Sequence, residues 1–288
     1  MEKKTRLHKA LNFFLTKIIG GIAVIVLPVF LIESASHFFL QKFNNAVEVI
    51  NGIVSITVSA AAVAVYILLF RFYEKRNISE LSSSAFIKNS LIGFATGLLL
   101  QFLFVFVLYL MGHYRILAVN PASYMPPALF PALTAGFVAE IIIRGIIFRI
   151  LEEKFGTVIT IWFMIFLFTI LHAGGKNSNI LTMVATVAQA GFLLTASYVY
   201  CRNLWLPIFL HFAWDFAEPG IFGGINPGNR VDKSLFSSEL SGPHLFTGGP
   251  SGPQNSIQAA AFCLLAGLIF LWLAKKKNHF IPYRPLHT

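Results

Sequence analysis

The chain has 288 residues, 56% of them hydrophobic and only 12% charged, with a mean hydropathy of +0.72. A soluble domain carries roughly 25% charged residues, so this composition excludes a soluble monomer and calls for lipid as solvent. The formal net charge of +10 is expected to mark the loops on one side of a membrane, and no nucleic-acid partner is expected. Cys201 and Cys263 lie at or within apolar stretches without CxxC or zinc-type spacing, so no disulfide framework is indicated.

The N-terminus is a basic head followed by an apolar run with no small-x-small cleavage site after it. It reads as a retained first helix over 11–32. In a bilayer every backbone polar group must be satisfied internally, so apolar runs of about 20 residues read as helices. Further spans are predicted over 49–70, 89–111, 128–150, 157–172, 180–200, 203–217 and 257–274, the fifth and seventh of the set being short. The polar linker 71–88 is expected to hold a short interfacial helix. Gly93 and Gly97 form a GxxxG pair of the kind that packs helices. The Gly- and Pro-rich stretch 218–256 cannot span, and is expected at the surface or partly re-entrant. Trp205 and Trp214 fit interface anchors. The expected fold is an all-α polytopic membrane protein, a single membrane domain over 1–288 with about eight transmembrane helices in one bundle.

With the N-terminus placed in the cytoplasm, fifteen Lys and Arg fall in cytoplasmic segments and five on the opposite side; Lys17 and Arg144 lie inside helices. That bias predicts a multi-pass protein of the cell membrane with both termini cytoplasmic.

An ionisable residue inside a membrane helix is costly and is therefore a functional candidate. Three helices carry them. In FVAEIIIRGIIFR, Glu140 and Arg144 are four apart and share a face. In FTILHAGG, Phe168 and His172 are four apart near a helix end. In LPIFLHFAWDF, His211 and Asp215 repeat the spacing, and a carboxylate beside a histidine raises its basicity and fixes its tautomer. Each has a plain structural reading: an ion pair pinning helices, a satisfied histidine, one more buried hydrogen bond. Taken together they describe a polar centre facing a bundle core. A carboxylate and a histidine there suit activation of water, with a second histidine donating to a developing oxyanion. Zinc on His172, His211 and a carboxylate is the weaker reading, because there is no HExxH.

These three segments resemble the motifs of the CPBP intramembrane proteases, the group that includes type II CAAX prenyl endopeptidases and bacteriocin-processing and immunity proteins. The family pattern EExxxR, FxxxH and HxxxN or HxxxD maps onto Ala139-Glu140-xxx-Arg144, Phe168-xxx-His172 and His211-xxx-Asp215, inside a core over 128–274. LFTGGPSGP also resembles a Gly-rich loop of bacterial members. The resemblance implies an intramembrane glutamate-type endopeptidase that cleaves peptides or membrane-anchored proteins and needs no cofactor. Its implied site residues are Glu140, His172, His211 and Asp215, supported by Arg144 and Phe168. It also exposes a departure: Ala139 stands where the family has its general-base Glu. An inactive or impaired enzyme is therefore expected. The alternative is a non-catalytic membrane scaffold or regulatory pseudoprotease. A transporter using the same centre is the weaker third class, since neither repeat symmetry nor broken helices are visible.

Overall fold

A computed structural model describes residues 13–43, 46–173, 179–223 and 234–283. The basic head, part of the stretch 218–256, and Lys176, Arg230, Lys233 and Arg284, which enter the Lys and Arg count above, lie outside the described residues.

Helix α1 (Phe14–Lys42) and α2 (Val47–Tyr73) form an antiparallel pair, and α3 (Phe86–Leu110) follows. A strand β1 (Tyr114–Val119) leads to α4 (Pro126–Glu140), whose first turn carries proline where no backbone donor is needed. The helix continues without a break through a π segment (Ile141–Phe148) into α5 (Arg149–His172). Next come α6 (Ile180–Thr186), a second π segment (Val187–Leu193) and α7 (Leu194–Cys201). Then α8 (Trp205–Ala217) runs into a third π segment (Glu218–Phe222). After β2 (Phe236–Leu240) and the short α9 (His244–Thr247), α10 (Ile257–Lys276) closes the bundle. Side-chain caps start two of these helices: Asn179 accepts from Thr182 N at 2.9 Å, and Ser256 from Ala259 N at 3.3 Å.

Six described helical runs are long and apolar enough to cross a membrane: Phe14–Gln41, Val47–Tyr73, Ser83–Leu110, Pro126–His172, Ile180–Cys201 and Ile257–Lys276. Their outer faces leave Ile19, Phe30, Phe72 and Trp162 more than 60% exposed, which water does not tolerate as a continuous surface and lipid does. The chain is thus a predominantly helical, multi-pass membrane protein; six described runs meet the length and apolarity of a span, against the eight expected. The segments foreseen as 128–150 and 157–172 fall within the 47-residue run Pro126–His172 but lie on either side of Gly156, whose φ of +74° and ψ of 168° interrupt the helix between them. The segment foreseen as 203–217 is the 13-residue α8, below spanning length until its π extension is added.

Three local expectations are corrected. The linker 71–88 forms two 3-10 turns, Ser79–Leu81 and Ser83–Ala85, in place of an interfacial helix, since its serines favour local turns. Trp214 is only 1% exposed and Trp205 9%, so neither is an interface anchor. Their indole N–H groups are satisfied inside the protein, on Gln254 Oε1 (3.0 Å) and the Ser82 carbonyl (3.1 Å). Among the described residues there is also a two-stranded antiparallel sheet that the helical pattern did not announce, pairing Tyr114 with Leu240 and Val119 with Phe236.

The two ends of the bundle differ in chemistry. At one end Glu74 joins Lys17 (3.3 Å), Arg76 (2.9 Å) and Arg149 (3.0 Å), and Arg76 meets Glu80 at 2.6 Å. The Tyr66 hydroxyl lies between Glu80 and the Gly145 carbonyl. Burial works to raise the Glu80 carboxyl, but the hydrogen bonds from Arg76 and Tyr66 outweigh it and hold the group below its ordinary value. The chain returns to this end at Arg202, which pairs with Glu152 and donates to the His279 carbonyl, and at Ile281, whose carbonyl accepts from Thr157 N at 2.9 Å. Lys17 and residues 279–283 therefore share one end. The opposite end carries β1, β2 and the segment that follows them.

Candidate active site

The site is built on α8, and the approach of its neighbours depends on small residues. Cβ atoms added at Gly93 and Gly97 of α3 would lie 2.3 Å from the Leu206 carbonyl oxygen and 2.6 Å from that of Leu210. Only glycine permits backbones this close. On the other flank a Cβ at Gly136 of α4 would lie 2.9 Å from the Ile208 carbonyl oxygen. This double seam brings Glu140, one turn beyond Gly136, up to the ring of His211.

Glu140 is fully buried. Its Oε1 accepts from Arg144 Nη1 at 2.8 Å and lies 2.8 Å from His211 Nδ1. The other ring nitrogen, Nε2, is 3.2 Å from Asp215 Oδ2. Both nitrogens of His211 therefore face carboxylate oxygens, an arrangement fully satisfied when the ring donates from both. Exposure rises along this chain, from 0% at the Glu140 side chain to 17% at His211 and 32% at Asp215, so the group opens at Asp215. The second oxygen of Glu140, Oε2, is buried and has no hydrogen-bond partner among the described residues.

Arg144 sits in the π segment after α4 and is 1% exposed. Its Nη2 donates to the Ala190 carbonyl and meets Thr195 Oγ1 at 3.3 Å. Ala190 belongs to the second π segment, so two of the wide helical turns meet at this guanidinium; such turns recur at functional sites. Arg144 Cζ also lies 5.6 Å from the centroid of the Phe168 ring. Phe168 in turn stacks on His172 (centroids 6.0 Å apart, planes 13° apart), and His172 Nδ1 lies 3.0 Å from the Phe168 carbonyl oxygen.

The three helices foreseen from the sequence thus supply one contiguous group. Direct hydrogen bonds join Glu140, Arg144, His211 and Asp215, while His172 reaches the group through Phe168. Ala139 is half-buried on α4 beside Glu140. Among the described residues no group of three His, Cys, Asp or Glu side chains is arranged to hold a metal ion.

Sequence reasoning missed Glu218 and Gln254. Glu218 is 7% exposed, and its Oε2 accepts from Gln254 N at 3.1 Å. It sits seven residues after His211, on the same helical face, and the periodicity would have found it had the helix not been expected to end at 217. The segment 248–255 is also not a surface loop: Gly249, Gly252 and Pro253 are buried, and its second 3-10 turn, Pro253–Asn255, packs against α3, α6 and α10.

Residues 121–217 match the family model described as "Rce1-like: Type II CAAX prenyl endopeptidase Rce1-like". The match covers 97 of the 288 residues, and all three motifs lie inside it. Comparisons with curated proteins and with solved structures find no match. By the matched segment, and by the motifs that meet within it, residues 121–217 are similar to the type II CAAX prenyl endopeptidases.

Proposed function

We propose that this chain is an intramembrane endopeptidase of the glutamate type whose cleavage is impaired at position 139. The substrate is a peptide or membrane-anchored protein carrying its scissile bond to the polar group between α4, α5 and α8. The description of the matching family model points to lipid-modified C-terminal peptides. The observation that supports this reading best is the hydrogen-bonded chain Arg144–Glu140–His211–Asp215, buried at one end and open at the other.

In the reaction a water oxygen adds to the scissile carbonyl. A carboxylate takes the water's proton and passes it to the leaving nitrogen, the C–N bond breaks, and a carboxylate and an amine are released. Glu140 is a poor candidate for that base: Oε1 already receives two hydrogen bonds, one from a guanidinium. Its role is to orient His211 and neutralise Arg144. The base belongs at 139, where alanine carries no proton acceptor. His211 is also committed, because Asp215 occupies Nε2; an ionised Asp cannot itself donate to an oxyanion.

Ala139→Glu is expected to raise cleavage of a farnesylated C-terminal peptide in detergent micelles about 100-fold over the parent, the low end for a positioned general base. His172→Ala in that background should return it to background. A folded Ala139→Glu protein that cleaves neither this peptide nor a broader peptide library would instead support the scaffold reading, in which the same network only holds three helices together.

Both termini are placed in the cytoplasm. The fifteen-to-five Lys and Arg bias supports this, as does the shared end of Lys17 and residues 279–283. A single cysteine at Lys75 should react with an impermeant maleimide only after cells are opened, and one at Ser241 in intact cells. The reverse pattern would invert the protein in the membrane.

A further inference from the structure

We propose that Glu218 is a positioning residue of the candidate site: with Trp214 it clamps Gln254 and so fixes the turn of α8 that carries Asp215 against His211. The inference rests on the protease reading for its catalytic meaning, but its geometry stands apart from cleavage.

Gln254 is held from two directions. Its backbone N–H donates to Glu218 Oε2 at 3.1 Å, and its side-chain Oε1 accepts from Trp214 Nε1 at 3.0 Å. Trp214 immediately precedes Asp215, and Glu218 follows it by three residues, so the two arms grip α8 on either side of that carboxylate. Each arm is itself anchored. Trp214 is 1% exposed, packs on Phe104 at 5.6 Å between ring centroids, and has its carbonyl engaged by Gln101 Nε2 at 2.9 Å. The Gln254 side of the clamp is stiff because the residues before it are tightly wound. Gly248 has φ +73°, and a Cβ there would fall 1.7 Å from the Gly252 carbonyl oxygen. The same stretch is tied to α6 by the Thr182 hydroxyl, 3.3 Å from that of Ser251.

The clamp answers a physical problem at this point of α8. The helix changes from α to π at Glu218, and π turns are poorly stabilised on their own. Asp215 is more exposed than His211 or Glu140, so its carboxylate would otherwise be free to leave the His211 ring for water. A buried carboxyl bonded to a rigid backbone amide removes that freedom. Glu218 touches neither His211 nor a reacting atom by any contact described; it acts through Asp215.

The test uses the full-length protein in micelles and two readouts that do not require cleavage. One is the rate at which diethylpyrocarbonate modifies His211, followed by peptide mass spectrometry. The other is amide hydrogen exchange over 249–255. Glu218→Ala is expected to speed both roughly fivefold, the shift that follows loss of one hydrogen bond. Glu218→Gln, which keeps an acceptor for Gln254 N, should stay near the parent. Gln254→Ala removes only the Trp214 arm and should give a smaller increase in the same direction; it stands in if Glu218→Ala does not fold. Parent-like His211 modification and parent-like exchange in the folded variants would overturn the proposal. Equal acceleration in the Gln and Ala variants at 218 would also overturn it. Failure of Ala139→Glu to cleave would remove the protease reading and leave this result unaffected.

Discussion

Arg144→Ala is expected to lower the stability of the folded bundle by about 3 kcal/mol, measured as the denaturant or thermal unfolding midpoint in detergent or bicelles. Removing one partner of a buried ion pair costs about 3–5 kcal/mol, because the other charge is left in a low-dielectric interior. Glu140 is fully buried and Arg144 nearly so. The low end of the range applies because Glu140 Oε1 keeps His211 as a second partner. The guanidinium also ties its own π segment to the one at Ala190, to Thr195 and to the Phe168 ring, so three contacts disappear with one side chain. A double variant, Arg144→Ala with Glu140→Ala, should recover part of the loss, since no unpaired carboxylate then remains. A single variant as stable as the parent would show that the pair is hydrated, and the picture of a dry, buried end at Glu140 would be wrong.

A second large effect is expected at Gly93. Gly93→Val should destabilise the bundle by at least about 3 kcal/mol, the upper part of the range for overpacking. The added Cβ would lie 2.3 Å from the Leu206 carbonyl oxygen and 3.0 Å from Leu210 N. Those atoms belong to the backbone of α8, so no side chain can move aside; α3 and α8 must separate. Because α8 carries His211, the separation should also displace His211 from Glu140 and abolish whatever activity Ala139→Glu confers. Gly20 of α1 is the control. A Cβ there meets nothing within 4 Å, and Gly20→Ala should be neutral or stabilising by up to about 1 kcal/mol through helix propensity. Equal midpoints for the two glycine variants would mean that the α3–α8 seam does not bear on stability.

Much of this molecule was legible in its sequence, and for identifiable reasons. Transfer of a side chain from water to lipid is a property of that side chain, so runs such as Ile257–Ala274 announce themselves one residue at a time. The i,i+4 pairs Glu140–Arg144 and His211–Asp215 were readable because both members ride on one helix; the hydrogen bonds at 2.8 Å and 3.2 Å are local consequences of that spacing. Boundaries were less readable. The break at Gly156 packs against the returning segment of residues 281–283, and a Cβ at 156 would lie 2.6 Å from Tyr283 N. Past Ala217, α8 continues as a π segment whose first residue, Glu218, accepts from the backbone N–H of Gln254, a contact between segments that no local pattern displays.

The sequence by itself determined that the chain lives in lipid, which spans carry titratable groups, and that position 139 lacks a carboxylate. Only the tertiary structure decided who meets whom. Glu140 and His211 are 71 residues apart, and nothing in either helix alone says that one oxygen would serve both Arg144 and His211, or that Asp215 would take the second ring nitrogen. The physical reason is that hydrophobicity acts on each residue separately and without direction, whereas a hydrogen bond between helices needs distance and angle that only packing supplies.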